Sequence, residues 1–191
     1  MTSILKVDTI QDADGNNIIN ESGNTITIGA SGDTTNIIGT LQNDGAAVGG
    51  VNTPAFEAYP SGTQTISADS WTKLNFATER FDTDGKYDAS TSKFTPTVSG
   101  KYYIYATLSI TGSADAIESI QTMIYKNGSS VINTLNIFGT HDHSEMSQFV
   151  YGIDIADADD YYEIYGNVNV SSGNAAVSSA RSFFGAYKII E

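Results

Sequence analysis

The sequence predicts an all-β protein, a jelly-roll head preceded by a short β-rich stalk or anchoring region. Three observations carry this reading. Apolar residues recur at every second position in short runs, with hardly any helical periodicity. Gly, Asn, Asp and Ser turn signals separate those runs. All eleven Tyr, eight Phe and the single Trp lie from Phe56 onward, which divides the chain into residues 1–52 and 53–191. Single cores usually form in roughly 100 to 150 residues, so 191 residues accommodate one domain and a substantial extension.

Residues 1–52 hold one Lys, no Arg and small apolar clusters at Ile4-Leu5-Lys6-Val7, Ile18-Ile19, Ile26-Thr27-Ile28 and Ile37-Ile38. Asp-Gly and Ser-Gly turns between them imply strands of ~3 to 5 residues. The Gly, Asn, Ser and Thr content would also suit a flexible tail, but Thr-Ile alternation favours strands. A segment without large side chains cannot bury enough surface to offset its conformational entropy. Its Ile and Val are expected to pack against copies of themselves in a trimeric stalk, or to dock onto a larger particle. Gly45 to Pro54 reads as a small-residue linker.

In the head, strands are expected at Trp71–Phe76, Arg80–Phe81 and Lys93–Val98. Along Tyr102, Ile104, Ala106, Leu108 and Ile110 one face is mostly apolar, while Tyr103, Tyr105, Thr107 and Ser109 form an amphipathic second face suited to meeting another surface. Asn127-Gly128 accepts the positive φ angles of a tight hairpin between Ile120–Tyr125 and Val131–Phe138. Phe149–Ile155 and Tyr161–Val170 are expected to pair around the acidic loop at Asp157, Asp159 and Asp160. Arg181–Ile190 closes the domain, and the eight to ten strands suffice for a double-sheet jelly roll.

Composition narrows the function. With 9 Lys and Arg against 22 Asp and Glu, the formal charge of -13 repels phosphate backbones, so no nucleic-acid partner is expected. The absence of Cys removes disulfides and thiolate metal sites. No apolar run approaches the ~20 residues of a membrane span, so no membrane insertion is expected. MTSILKVDTI lacks the layout of a secretory signal, which predicts a chain without an export leader.

The run Tyr87-Asp88-Ala-Ser-Thr-Ser-Lys93-Phe94-Thr-Pro-Thr-Val98-Ser-Gly100-Lys-Tyr102-Tyr103, with Phe184-Gly185 in the last strand, resembles the signature of complement one-q and tumour necrosis factor-like globular heads. The resemblance covers about residues 55 to 191. It implies a ten-stranded jelly roll assembled as a homotrimer, with Tyr103, Tyr105 and Phe184 as trimer-interface candidates. The collagen-like stem of the family's vertebrate members has no counterpart in residues 1–52. Instead, Leu5 to Asn16 (LKVDTIQDADGN) resembles the opening of structural and tail-associated proteins of marine cyanobacterial phages. Together the two resemblances imply a virion protein whose N-terminus attaches and whose head projects.

Candidate chemistry is sparse. Asp82, Asp84 and Asp88 have the alternating carboxylates that open a calcium loop, without the later bidentate Glu. His141 and His143 would face one side of an extended chain, and three copies around an axis would offer six nitrogens to a transition metal, as phage fibres with His-x-His do. A polar turn and an exposed loop explain the same residues, and no cofactor is required. There is no Gly-x-Ser-x-Gly elbow, phosphate-cradling loop or Cys nucleophile, so no enzyme is expected. The leading expectation is a trimeric tail-fibre or appendage adhesin in the virion, bound to other virion proteins through residues 1–52 and contacting a host-surface glycan or protein. A trimeric capsid decoration protein comes second. A glycan-cleaving appendage enzyme comes third.

Overall fold

The computed structural model describes residues 9–11, 13–14, 17–22, 25–29, 32–39, 41–43, 46–47, 52–112, 117–139 and 143–189. They fall into two compact units that part between Gly49 and Gly50.

In the N-terminal unit, β1 (Thr9–Gln11), β2 (Asn17–Ser22) and β3 (Thr25–Ile28) form an antiparallel meander, and β4 (Gln42–Asn43) pairs with β5 (Ala46–Ala47). Ile19 stands opposite both Ile10 and Ile28, which lines three isoleucines across one face. All three are exposed, as are Ile26 and Ile38. Ile37-Ile38 lies outside any strand, and Ile4 to Val7 falls outside the described residues.

The head contains β6 (Ala55–Tyr59), β7 (Gln64–Ile66), β8 (Thr72–Lys73), β9 (Thr78–Asp82), β10 (Tyr87–Asp88), β11 (Lys93–Phe94), β12 (Gly100–Gly112), β13 (Ile117–Lys126), β14 (Ser129–Ile137), β15 (Glu145–Ala156), β16 (Tyr162–Val170), β17 (Ala175–Val177) and β18 (Phe183–Lys188). The count exceeds ten because several are two- or three-residue segments. One sheet runs β7-β17-β12-β18-β6-β9, with β15 along the opposite edge of β12. The second runs β10-β11-β16-β13-β14, with β8 also on β16. All described pairings are antiparallel, and the two sheets enclose one core.

Asn127 (φ 51°) and Gly128 (φ 79°) make the expected tight turn between β13 and β14. The expected pairing of 149–155 with 161–170 is corrected: β15 lies on β12, whereas β16 lies on β13. The acidic loop therefore crosses between sheets. Its Asp160 explains the crossing, because the carboxylate receives the Asp157 backbone N–H (2.7 Å), the Asn127 amide (2.6 Å) and Lys126 Nζ (2.8 Å). The loop is thereby tied to the hairpin tip of the second sheet. These bonds and the Lys126 charge lower the Asp160 pKa although burial opposes them.

Inside the sandwich, Phe56 stacks on Tyr87 (4.4 Å between centroids) and Phe94 (4.6 Å) and meets Phe184 edge-on at 4.9 Å. Tyr102 reaches Phe94 at 5.9 Å. Their polar ends are satisfied locally: Tyr87 Oη donates to Phe76 O and Tyr102 Oη to Val98 O, each at 2.7 Å. Burial lifts the Tyr102 phenol to about 12. A buried polar bridge joins the sheets, where Thr122 donates to Gln148 Oε1 (2.6 Å) and Gln148 Nε2 donates to Ile120 O (3.1 Å).

Candidate functional site

The candidate site is the outer face of the first sheet. Along β12, Tyr102, Ile104, Ala106, Leu108 and Ile110 point into the core, which sends Tyr103, Tyr105, Thr107 and Ser109 outward. Register places Phe183, Thr107 and Phe149 in one row, Gly185, Tyr105 and Tyr151 in the next, and Tyr187, Tyr103 and Ile153 in a third. β15 contributes the most open residues: Phe149, Tyr151, Ile153 and Ile155 are 60, 63, 61 and 65% exposed. Tyr103 lies 5.5 Å from Tyr187 and 5.7 Å from Tyr105 between ring centroids, so the rings form one patch.

A depression of about 380 Å³ opens in this patch, with Tyr103, Tyr105, Thr107, Phe149, Phe183 and Tyr187 around it. Thr107 is small among aromatic neighbours, which makes the hollow. It is buried, and its hydroxyl has no hydrogen-bond partner among the described residues.

Tyr105 is held flat. Its ring crosses Gly185, where a Cβ would meet Tyr105 Cζ at 2.4 Å, and its hydroxyl donates to Glu57 Oε2 at 2.9 Å. Arg80 pairs with the same carboxylate. Burial first, and then the Glu57 carboxylate, push the Tyr105 phenol well above its ordinary range.

Of the three interface candidates, Tyr103 and Tyr105 lie on this face and Phe184 does not. Phe184 is fully buried in the aromatic core, since alternation along β18 turns it inward. Its neighbours Phe183 and Tyr187 take the outward places. Sequence reasoning missed Phe149, Tyr151, Ile153 and Ile155, although their period of two was visible.

The metal candidates are not brought together. Asp82 accepts the backbone N–H groups of Asp84 (3.3 Å) and Tyr87 (2.8 Å), and Asp84 accepts from the Thr83 hydroxyl at 2.6 Å. Asp88 accepts from the Ser90 N–H and from the Ser90 and Thr91 hydroxyls, which hold its pKa at about 2. These carboxylates fix turns. His143 packs edge-on to Phe138 at 5.4 Å, and His141 lies outside the described residues. Among the described residues no group of three or more His, Asp or Glu is placed to hold a metal.

No protein-family profile matches this sequence, and no curated protein does. Solved structures do match its fold. Eiger TNF from S. frugiperda superposes with a TM-score of 0.53 at 13% identity, covering 72% of this chain and 91% of that one. Murine APRIL at pH 5.0 gives 0.54 at 11% identity, covering 71% and 98%. The globular domain of zebrafish complement 1qA gives 0.45 at 17% identity, covering 72% and 98%. The first two establish a TNF-like jelly roll for the head.

Proposed function

We propose that this chain is a non-enzymatic phage virion protein, a trimeric tail-fibre or appendage adhesin in which residues 1–52 attach to other virion proteins and the head contacts the host surface. The trimer rests chiefly on one observation, the open apolar ladder Phe149, Tyr151, Ile153 and Ile155 beside Tyr103, Tyr105 and Tyr187. Fully burying one such side chain is worth about 1.5–3 kcal/mol, so leaving several in water is costly unless another surface covers them. A second copy has the same problem and the same remedy. The resemblance of the Tyr87-to-Tyr103 run to trimeric heads supports three copies, and the phage-like opening of residues 5–16 supports the virion.

Light scattering of the purified chain at micromolar concentration tests the trimer: three chain masses are expected, and one chain mass would end the proposal. Quantifying the protein in virions tests the adhesin, for which a handful of trimers per particle is expected. Hundreds of copies would assign it to capsid decoration instead.

A further inference from the structure

The outer face of the second sheet has a different chemistry, on the opposite side of the sandwich from the apolar ladder. Alternation turns Ile120, Thr122, Ile124, Ile164 and Val168 into the core and sends Ser119, Gln121, Met123 and Tyr125 of β13 outward beside Glu163, Tyr165, Asn167 and Asn169 of β16. At one end Tyr125 and Tyr165 lie 4.2 Å apart between ring centroids, tilted by 32°. At the other end Ser119, Leu135, Ile137, Gly139 and Asn169 border a shallow hollow of about 320 Å³, with Glu118 on its rim. Between them Gln121 stands directly opposite Asn167, and Met123 opposite Asn133. The strip from Tyr125 to Ser119 is roughly 20 Å long at about 3.3 Å per residue.

Its polar groups are unspent. None of the amides of Gln121, Asn133 and Asn167 is hydrogen-bonded to another described residue, so each offers two donors and an acceptor. Its charges cancel. Glu163 is buried beneath Lys73, which bonds its carboxylate, and Lys93, whose Nζ lies 3.6 Å from the same oxygen and 4.0 Å from the centroid of the Tyr161 ring. Both cations lie against that carboxylate, and the charged side chain at the far end of the strip is the acidic Glu118.

We infer that this strip binds a neutral oligosaccharide. A pyranose ring presents a flat face of C–H groups to an aromatic ring and a rim of hydroxyls to amides, and here the Tyr125–Tyr165 pair at one end and the amides beyond it occupy a span of several sugar units. An anionic glycan would need a free cation, which the committed lysines do not supply, and it would meet a chain of formal charge -13. This inference deepens the adhesin reading by naming the face and the ligand class, and it rests on that reading only for its biological setting.

The test uses the full chain on an array of neutral, sialylated and sulfated oligosaccharides, with the best neutral binder titrated by calorimetry. Retention of neutral glycans is expected. The double variant Gln121→Ala with Asn167→Ala should weaken binding at least tenfold while mass and Tm stay unchanged, and Tyr165→Leu should weaken it similarly. Silence across the array, preference for anionic glycans, or binding that ignores the amide variants would each overturn the inference. Capture of a host protein that the amide variants abolish, without sugar binding, would overturn it as well. Sugar binding by a single-chain species would remove the trimer and leave this site standing, whereas a trimer blind to sugars would do the reverse.

Discussion

The two outer faces of the head come from the same backbone geometry and end in opposite chemistry. On the second sheet the outward positions of β13 and β16 are Ser119, Gln121, Asn167 and Asn169 with a few rings, as expected where an antiparallel sheet meets water. On the first sheet β15 is inside out. Its core side carries Gln148, Val150, Gly152 and Asp154, and its solvent side carries Phe149, Tyr151, Ile153 and Ile155. The core tolerates this inversion because neighbours supply what β15 withholds: Ile132 fills the space over Gly152, Thr122 satisfies Gln148, and Tyr162 Oη donates to Asp154 at 2.7 Å. In the proposed trimer, the solvent side of this strand meets a second copy of the chain.

The largest expected effect would break this contrast. Tyr151→Asp with Ile153→Asp should lower the mass in light scattering from three chains to one while the far-ultraviolet β spectrum persists, whereas Gln121→Ala with Asn167→Ala should leave the mass unchanged. Equal behaviour of the two pairs would erase the distinction between the faces.

Next in size is Gly185→Ala. The added methyl would meet Tyr105 Cζ at 2.4 Å and Phe56 O at 2.9 Å, and overpacking of this kind costs about 1–3 kcal/mol in chemical denaturation. Tyr105→Ala in the same chain should recover part of that loss, a coupling that a double-mutant cycle measures. Thr122→Val sharpens the account of the inverted strand. It removes the donor to Gln148 Oε1 and should cost about 1–3 kcal/mol, and adding Gln148→Leu should restore some of it.

The smallest effect is acid sensitivity at the turns of the second sheet. Asp88 and Asp160 have lowered folded-state pKa values, so their stabilisation is present above the ordinary Asp value of 3.8 and fades as pH falls toward the folded values, about 2 for Asp88. Tm should decline between about pH 4 and pH 2, and Asp88→Asn with Asp160→Asn should flatten that decline. An unchanged slope would show that other carboxylates govern it.

The fold was legible because its signature records packing. Tyr87, Phe94 and Tyr102 meet Phe56 and Phe184 in one aromatic cluster, so the run that suggested the head reports the interior. Asn127-Gly128 was legible because its local conformation suffices for the turn. The destination of β15 was not, since the Asp160 contacts that carry the chain to the other sheet join residues 33 apart in sequence. Phe184 was misplaced for a simpler reason. Aromatics on adjacent positions cannot both face outward, and only the strand's phase decides between Phe183 and Phe184. Tyr103 and Tyr105 were found because they share β12 with an unmistakable core stripe.

The exposed row Ile10, Ile19 and Ile28 carries a consequence for the order of events during assembly. Three dilute chains would have to find one another through a handful of isoleucines, an encounter whose yield falls steeply with dilution. In the proposed trimer, covalent connection to the docked heads would raise the effective concentration of the N-terminal strands for one another. In the proposed trimer the head therefore acts as the registration device. There the strands β1 to β3 would zip last, and severing them from the head would make their association dependent on protein concentration.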